Sequence, residues 1–237
     1  MLLRLLAALV TLLLISGCAT QPKPVQDKPS IQTIAIISAT TPATYTLENV
    51  SAVQFLIPLA ATANYLDSKE KAKTFNEKFG PQASPLGARF TEDVAKSLRA
   101  YGYDVKILND VSRTAAEPDK VDHKSVLTSA DAVLHLRFTN IGLFSSRSSS
   151  DYVPRVNALG QLFVNTKGKA TYLYDEDMYY GADAKNGRSS SIIADARFAY
   201  PSFAAVMDSI DSVRQAFETG ASEISQRMSM QIHNAIK

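Results

Sequence analysis

Apolar and polar positions follow two rhythms along this chain, and the changes of rhythm mark its elements. Ile31-Gln-Thr-Ile-Ala-Ile-Ile37 is rich in β-branched residues and apolar on both alternating faces, the pattern of a central strand buried on both sides. Ser84-Pro85 opens a helix, with Ser84 as N-cap and Pro85 at the first helical position. Leu86, Phe90, Val94 and Leu98 then recur along one helical face, and Gly102 ends it in a left-handed cap. Tyr103 to Leu108 alternates as a half-exposed strand. A polar stretch follows, with a short helix expected around Val121 to Ser129. In the strand Ala132 to Phe138, Leu134, Leu136 and Phe138 share one face; Val133, His135 and Arg137 share the other. Val156 to Val164 and Ala170 to Tyr174 are two more strands, joined by a turn at Asn165-Thr-Lys-Gly168.

The C-terminal segment carries the longest helical pattern. After an N-cap at Ser202, Phe203, Val206, Ile210, Val213, Phe217, Ile224, Met228, Ile232 and Ile236 step by three, four or seven. A continuous helix from Ser202 to Ile236 would be about 52 Å long, more than a compact domain's width, so a break is expected near Gly220. Its Ser222, Ser225 and Ser229 side would admit a close neighbour. The order strand, helix, strand, helix, strand, hairpin, helix predicts an α/β fold, with α+β the alternative. The expected architecture is a two-layer sandwich: a mixed sheet of about five strands, helices on one main face and a long C-terminal helix. Right-handed crossovers make the first three strands parallel. One domain over residues 31–237 results, with an insertion at 39–83. The insertion holds an apolar stretch, Val53 to Ala63, and a charged helix from Asn64 to Phe79.

The N-terminus has a different character. Arg4 gives a positive start, Leu5 to Ile15 is an apolar run broken only by Thr11, and Ser16-Gly17-Cys18 ends it with small residues. That is the layout of a secretory signal, too short to span a hydrocarbon core permanently. Ile15-Ser16-Gly17-Cys18 resembles the bacterial lipobox. The resemblance implies removal of residues 1–17 and acylation of Cys18, the only cysteine in the chain. Ala19, where Asp would resemble an inner-membrane retention signal, favours the outer membrane of a Gram-negative envelope, on its periplasmic face. Residues 18–30, with three prolines and almost no apolar bulk, form a tether reaching roughly 35 Å if extended.

Composition then narrows the chemistry. With 25 Lys+Arg against 23 Asp+Glu, the charge offers no basic field for nucleic acid. One cysteine excludes an intrachain disulfide and any Cys-rich metal site. The three histidines have no metal-ligand spacing, and Asp175-Glu176-Asp177 alternates across a strand, so its carboxylates converge poorly. G-x-S-x-G, H-E-x-x-H, Walker and G-x-G-x-x-G patterns are all absent from the sequence. No cofactor, metal or catalytic residue is therefore assigned.

Two candidate surfaces remain. The run Arg-Ser-Ser-Ser occurs twice, beginning at Arg147 and Arg188. Parallel strands would bring both loops to the sheet's carboxyl edge, the usual ligand side of an open α/β sheet. Arg147, Ser148, Ser149, Arg188, Ser189 and Ser190 are the candidate ligand residues, for a phosphate, carboxylate or glycan. The same loops also read as plain soluble connections. Phe55, Leu56, Ile57 and Leu59 are the candidate partner contacts, if the insertion is an exposed apolar arm rather than a satellite of the core.

The α/β layout resembles the small periplasmic domain of curli-secretion-channel lipoproteins and the N-terminal domain of the Tol-system β-propeller protein. Curli-type subunits add membrane-barrel hairpins, and the sequence pattern supplies no pair of long amphipathic strands for them. The expected role is therefore a non-catalytic accessory or assembly subunit of an envelope complex, with a protein partner or further copies of itself. An anionic small-molecule or glycan binder is the alternative, and an envelope hydrolase the third reading.

Overall fold

A computed structural model of the chain describes residues 30–49, 58–80, 85–108, 111–113, 120–146, 149, 151–166 and 169–237, excepting the side chains of 58–65 and Thr166. Strands β1 (Thr33–Ile37), β2 (Thr46–Asn49), β3 (Asp104–Leu108), β4 (Ala132–Ser145), β5 (Tyr152–Thr166), β6 (Lys169–Gly181) and β7 (Ser191–Ile192) form one mixed sheet. The helices are α1 (Pro58–Phe79), α2 (Leu86–Ala100), α3 (Phe203–Asp208) and α4 (Ile210–Ile236). The sheet order is β3-β1-β4-β5-β6-β7. β1 lies parallel to β3 and β4, as expected. β4 is long enough for β1 and β2 to sit end to end along one edge, while β5 runs along the other.

β1 enters the sheet at a fastened point. Asp131, just before β4, accepts hydrogen bonds from Gln32 N–H at 3.0 Å, Thr33 N–H at 2.8 Å and the Thr33 hydroxyl at 2.9 Å. These bonds favour the ionised form and hold the Asp131 carboxyl below its ordinary range.

Helices α2 and α4 cover one face and enclose the main core. Ile34, Ile36, Leu134, Leu136, Val156, Leu162 and Met178 from the sheet meet Phe90, Val94, Leu98, Val213, Ile224 and Met228 from the helices. α2 and α4 lie side by side and parallel. Arg89 pairs with Glu218 at 2.6 Å near one end, and Tyr101 stacks on His233 at 4.4 Å near the other. A smaller cluster of Ala35, Ile37, Val126, Val133 and Phe163 closes the opposite face around β1.

Several expectations are corrected. Residues 121–129 are turns, not a short helix. Asp122 Oδ1 accepts from Lys124 N–H at 3.1 Å, the Ser125 hydroxyl bonds Asp122 O at 2.8 Å, and Thr128 Oγ1 accepts from Ala130 N–H at 3.1 Å. Local side-chain bonds of this kind compete with the helical ladder and win here. The helix after Pro85 begins at Leu86, leaving Pro85 itself as the cap residue. β5 and β6 extend well beyond the expected spans. A long strand pair does exist, therefore, but it is the centre of the domain's own sheet, with β5 largely buried between β4 and β6. β2 and β7 were too short to show a period.

The C-terminal helix also differs. Ser202 caps α3 as expected, accepting from Ala205 N–H at 3.1 Å. The break falls at Ser209, not Gly220, and α4 runs through Gly220 without interruption. Gly220 is a contact rather than a hinge: a Cβ there would come within 2.6 Å of the buried Tyr180 ring. Gly220→Ala, which in an exposed helix would gain about 1 kcal/mol, is instead expected to cost roughly 1–3 kcal/mol through overpacking. Urea unfolding checks this; a more stable variant would refute the contact. Ser225 and Ser229 are buried within the domain, their hydroxyls returned to Ser222 O and Ser225 O at 2.7 Å each. That side of the helix is used inside the chain.

Candidate functional site

The proposed site residues fare unequally. Cys18, Phe55, Leu56, Ile57, Arg147 and Ser148 lie outside the described residues, as does the Leu59 side chain; the Leu59 backbone belongs to α1. The rest of the insertion is a satellite of the core. Phe75 and Phe79 on α1 are buried, and Asn76 bonds both backbone groups of Tyr45, at 2.7 and 2.9 Å.

The two Arg-Ser-Ser-Ser runs rest on different supports. Ser149 O accepts from the Ser145 hydroxyl at 3.1 Å, closing the β4–β5 connection. Ser189 O accepts from Arg227 and Gln231 of α4 at 3.1 and 3.0 Å, and Ser190 O accepts from Tyr179 N–H at 2.8 Å. Among the described residues no contact joins the two runs. The second run is thus an ordered edge of β6, held on two sides.

Opposite the helices, the outward side chains of β4, β5 and β6 build a polar face. Arg155 is its anchor. It is only 7% exposed, yet it pairs with Glu48 at 2.9 Å and Asp183 at 3.0 Å, and lies 4.4 Å over the Phe144 ring. Buried charge needs opposite charges close by to persist. Asp183 Oδ2 also accepts from Asn157 at 2.6 Å. Gly181 permits the turn carrying Asp183: its φ is +83°, and a Cβ there would strike Pro154 O.

Beside this anchor, under the 181–191 turn, lies a cavity of about 370 Å³ lined by Tyr179, Asp183, Lys185, Arg188 and Ser191. Partial burial and the carboxylates of Asp177 and Asp183 push the Tyr179 hydroxyl up, with Arg188 opposing them. Of the sequence candidates, Arg188 lines this cavity. Lys185 and Ser191 were missed; the Asn186-Gly187 dipeptide, a turn signal beside Arg188, was the available clue.

A second polar cluster sits nearer the start of β4. His123 Nε2 meets His135 Nδ1 at 2.8 Å, and His123 Nδ1 meets the Tyr172 hydroxyl at 3.0 Å. The His123 ring stacks on Phe163 at 4.3 Å. His135 is 3% exposed, and burial, with His123, Arg113 and Arg137 adding to it, pushes its imidazole down to about 3. Burial likewise lowers His123. His135 is a neutral ring out of solvent, and His123 lies half-buried on the loop beside it. Among the described residues, no group of three or more His, Cys, Asp or Glu could hold a metal ion, and no helix is long and apolar enough to cross a membrane.

No family model and no curated protein matches the chain. Distant likenesses exist among solved structures. Protein XCC0632 from Xanthomonas campestris, of the DUF330 family, is 7% identical with a TM-score of 0.45, each chain covered to 90%. The hypothetical protein CT253 from Chlamydia trachomatis is 13% identical with a TM-score of 0.36, covering 85% of this chain and 98% of that one. A neuraminyllactose-binding hemagglutinin homolog from Helicobacter pylori is 14% identical with a TM-score of 0.29, covering 91% and 90%. Likenesses at this level say nothing about activity.

Proposed function

We propose that this chain is a lipoprotein, anchored through Cys18 to the periplasmic side of the outer membrane. Its α/β domain then serves an envelope complex as an accessory or assembly subunit, binding a protein partner or copies of itself without chemistry of its own. The observation that carries this reading is the position of the chain's only cysteine at the last residue of a lipobox-like sequence, after an apolar run and before a proline-rich tether. One acyl chain holds weakly and two or more hold stably, which fits a lipid-modified cysteine as the sole anchor. The histidine pair adds support for a non-catalytic role. His123 has both ring nitrogens engaged, and His135 is held neutral and out of solvent.

Growth with a clickable palmitate analogue tests the anchor. The wild-type chain should be labelled and sediment with membranes, and Cys18→Ser should lose both properties. Label retained in Cys18→Ser, or never present, would overturn the anchoring. Cross-linking in intact cells tests the role. A single stoichiometric envelope partner or a ladder of self-linked species supports it; a clean monomer overturns it.

A further inference from the structure

The cavity under the 181–191 turn is built as a binding site. Its wall is fixed from below: Asp183 is held by Arg155 and Asn157, so the carboxylate is already oriented. The turn is fixed along its length. Ala184 N–H bonds Gly181 O at 3.0 Å, Arg188 N–H bonds Lys185 O at 3.3 Å, and Ser191 N–H bonds Arg188 O at 3.1 Å. Two cations, Lys185 and Arg188, line the cavity, and neither forms an ion pair among the described residues. The Ser191 hydroxyl is buried there and has no hydrogen-bond partner among the described residues. A buried hydroxyl normally has one, so this atom points to a missing ligand group. The volume falls at the small end of the range for ligand pockets.

The lining specifies the chemistry. Glu48 and Asp183 both pair with Arg155, while Lys185 and Arg188 form no ion pair among the described residues, so these two cations are available to a ligand. They suit an oxyanion; the arginine fork matches carboxylate or phosphate in particular. Asp183 and Ser191 suit hydroxyl groups close to that oxyanion. Tyr179 offers an aromatic wall of the kind that packs on a sugar ring.

We propose that this cavity binds an acidic sugar: one sugar residue bearing a carboxylate or a phosphate, gripped by Lys185 and Arg188, with its hydroxyls met by Asp183 and Ser191. The inference is independent of membrane anchoring and concerns a different part of the chain.

Isothermal titration of the detergent-purified full-length chain tests it, using galacturonate and glucose 1-phosphate as probes, with glucose and inorganic phosphate as controls. At least one acidic sugar should bind, tenfold or more above either control. Which of the two binds distinguishes a carboxylate from a phosphate source. Lys185→Ala/Arg188→Ala, two exposed substitutions, should weaken binding at least tenfold while leaving the melting temperature of the free protein unchanged. Ser191→Ala should weaken the sugar more than inorganic phosphate. Failure of both acidic sugars to bind would overturn the site. Binding unchanged in the double variant would also overturn it. Inorganic phosphate bound as tightly as the acidic sugar would overturn the sugar assignment.

Discussion

A Phe217→Ala variant is expected to lose about 3–5 kcal/mol of stability, near the upper end for a buried aromatic. Phe217 projects from α4 into a cluster drawn from three elements. Its ring stacks on Tyr45 at 5.7 Å and meets Phe79 edge-on at 5.5 Å. Phe79 in turn meets Tyr45 edge-on at 4.7 Å and stacks on Phe75 at 5.1 Å. The neighbours are rigid rings, so the space left by Phe217 cannot close by a change of rotamer. Aromatic pairs of this geometry add roughly 0.5–1.5 kcal/mol beyond the area they bury. The cluster also fastens the insertion to the body, because Tyr45 precedes β2 and Phe75 and Phe79 belong to α1. Faster hydrogen exchange across α1 and β2 should therefore accompany the loss. Leu66→Ala on the exposed side of α1, where the residue is 59% exposed, should change stability by less than about 0.5 kcal/mol. A Phe217→Ala loss below about 1 kcal/mol, or one without altered exchange in α1, would contradict this account.

The same cluster shows what the sequence could convey. Phe217 fell on the apolar stripe of the C-terminal helix because a helix packed on a sheet needs such a stripe, and the period is local information. β1 announced itself for a similar reason: a strand buried on both faces has few polar positions. β2 could not, since Thr46-Leu-Glu-Asn49 directs only Leu47 fully into the core and is recognisable only through its pairing with β4. Gly220 misled because glycine in a helix signals either a break or a close approach, and only the position of Tyr180 decides between them. Residues 121–129 misled because their Asp, Ser and Thr side chains serve turns as readily as helix ends. At the cavity, Arg188 was visible through its repeated tripeptide of serines, but its convergence with Tyr179 and Asp183 depends on β6 continuing to Gly181. The histidine pair left no local trace. His123 and His135 lie twelve residues apart, on a loop and a strand, and only the folding of that loop over Phe163 brings them together.

That pair should make the protein acid-sensitive. In the native state His135 stays neutral down to about pH 3, because burial disfavours its charged form and repulsion from His123, once protonated, and from Arg113 and Arg137 adds to that. In the unfolded chain the same ring takes up its proton near pH 6.5. Between these values the unfolded state binds more protons, so stability is complete above about pH 6.5 and falls as the pH drops toward 3. The slope from one such group approaches about 1.4 kcal/mol per pH unit, giving a loss of roughly 2 kcal/mol between pH 6.5 and 5. His123, also lowered by burial, acts in the same direction. Asp131 acts that way too, but only in the more acid window, below its ordinary carboxylate range, where its bonds to Gln32 and Thr33 are lost on protonation. Urea unfolding at pH 7.5 and 5.0 separates these groups. The wild-type chain should lose roughly 2 kcal/mol or more, and His135→Asn most of that difference, whatever its own stability at pH 7.5. Equal pH dependence in the two proteins would remove His135 as the cause. Independently, the His135 ring resonances should stay fixed between pH 8 and 5 while those of an exposed imidazole move; titration of His135 within that range would show that the ring is not sealed.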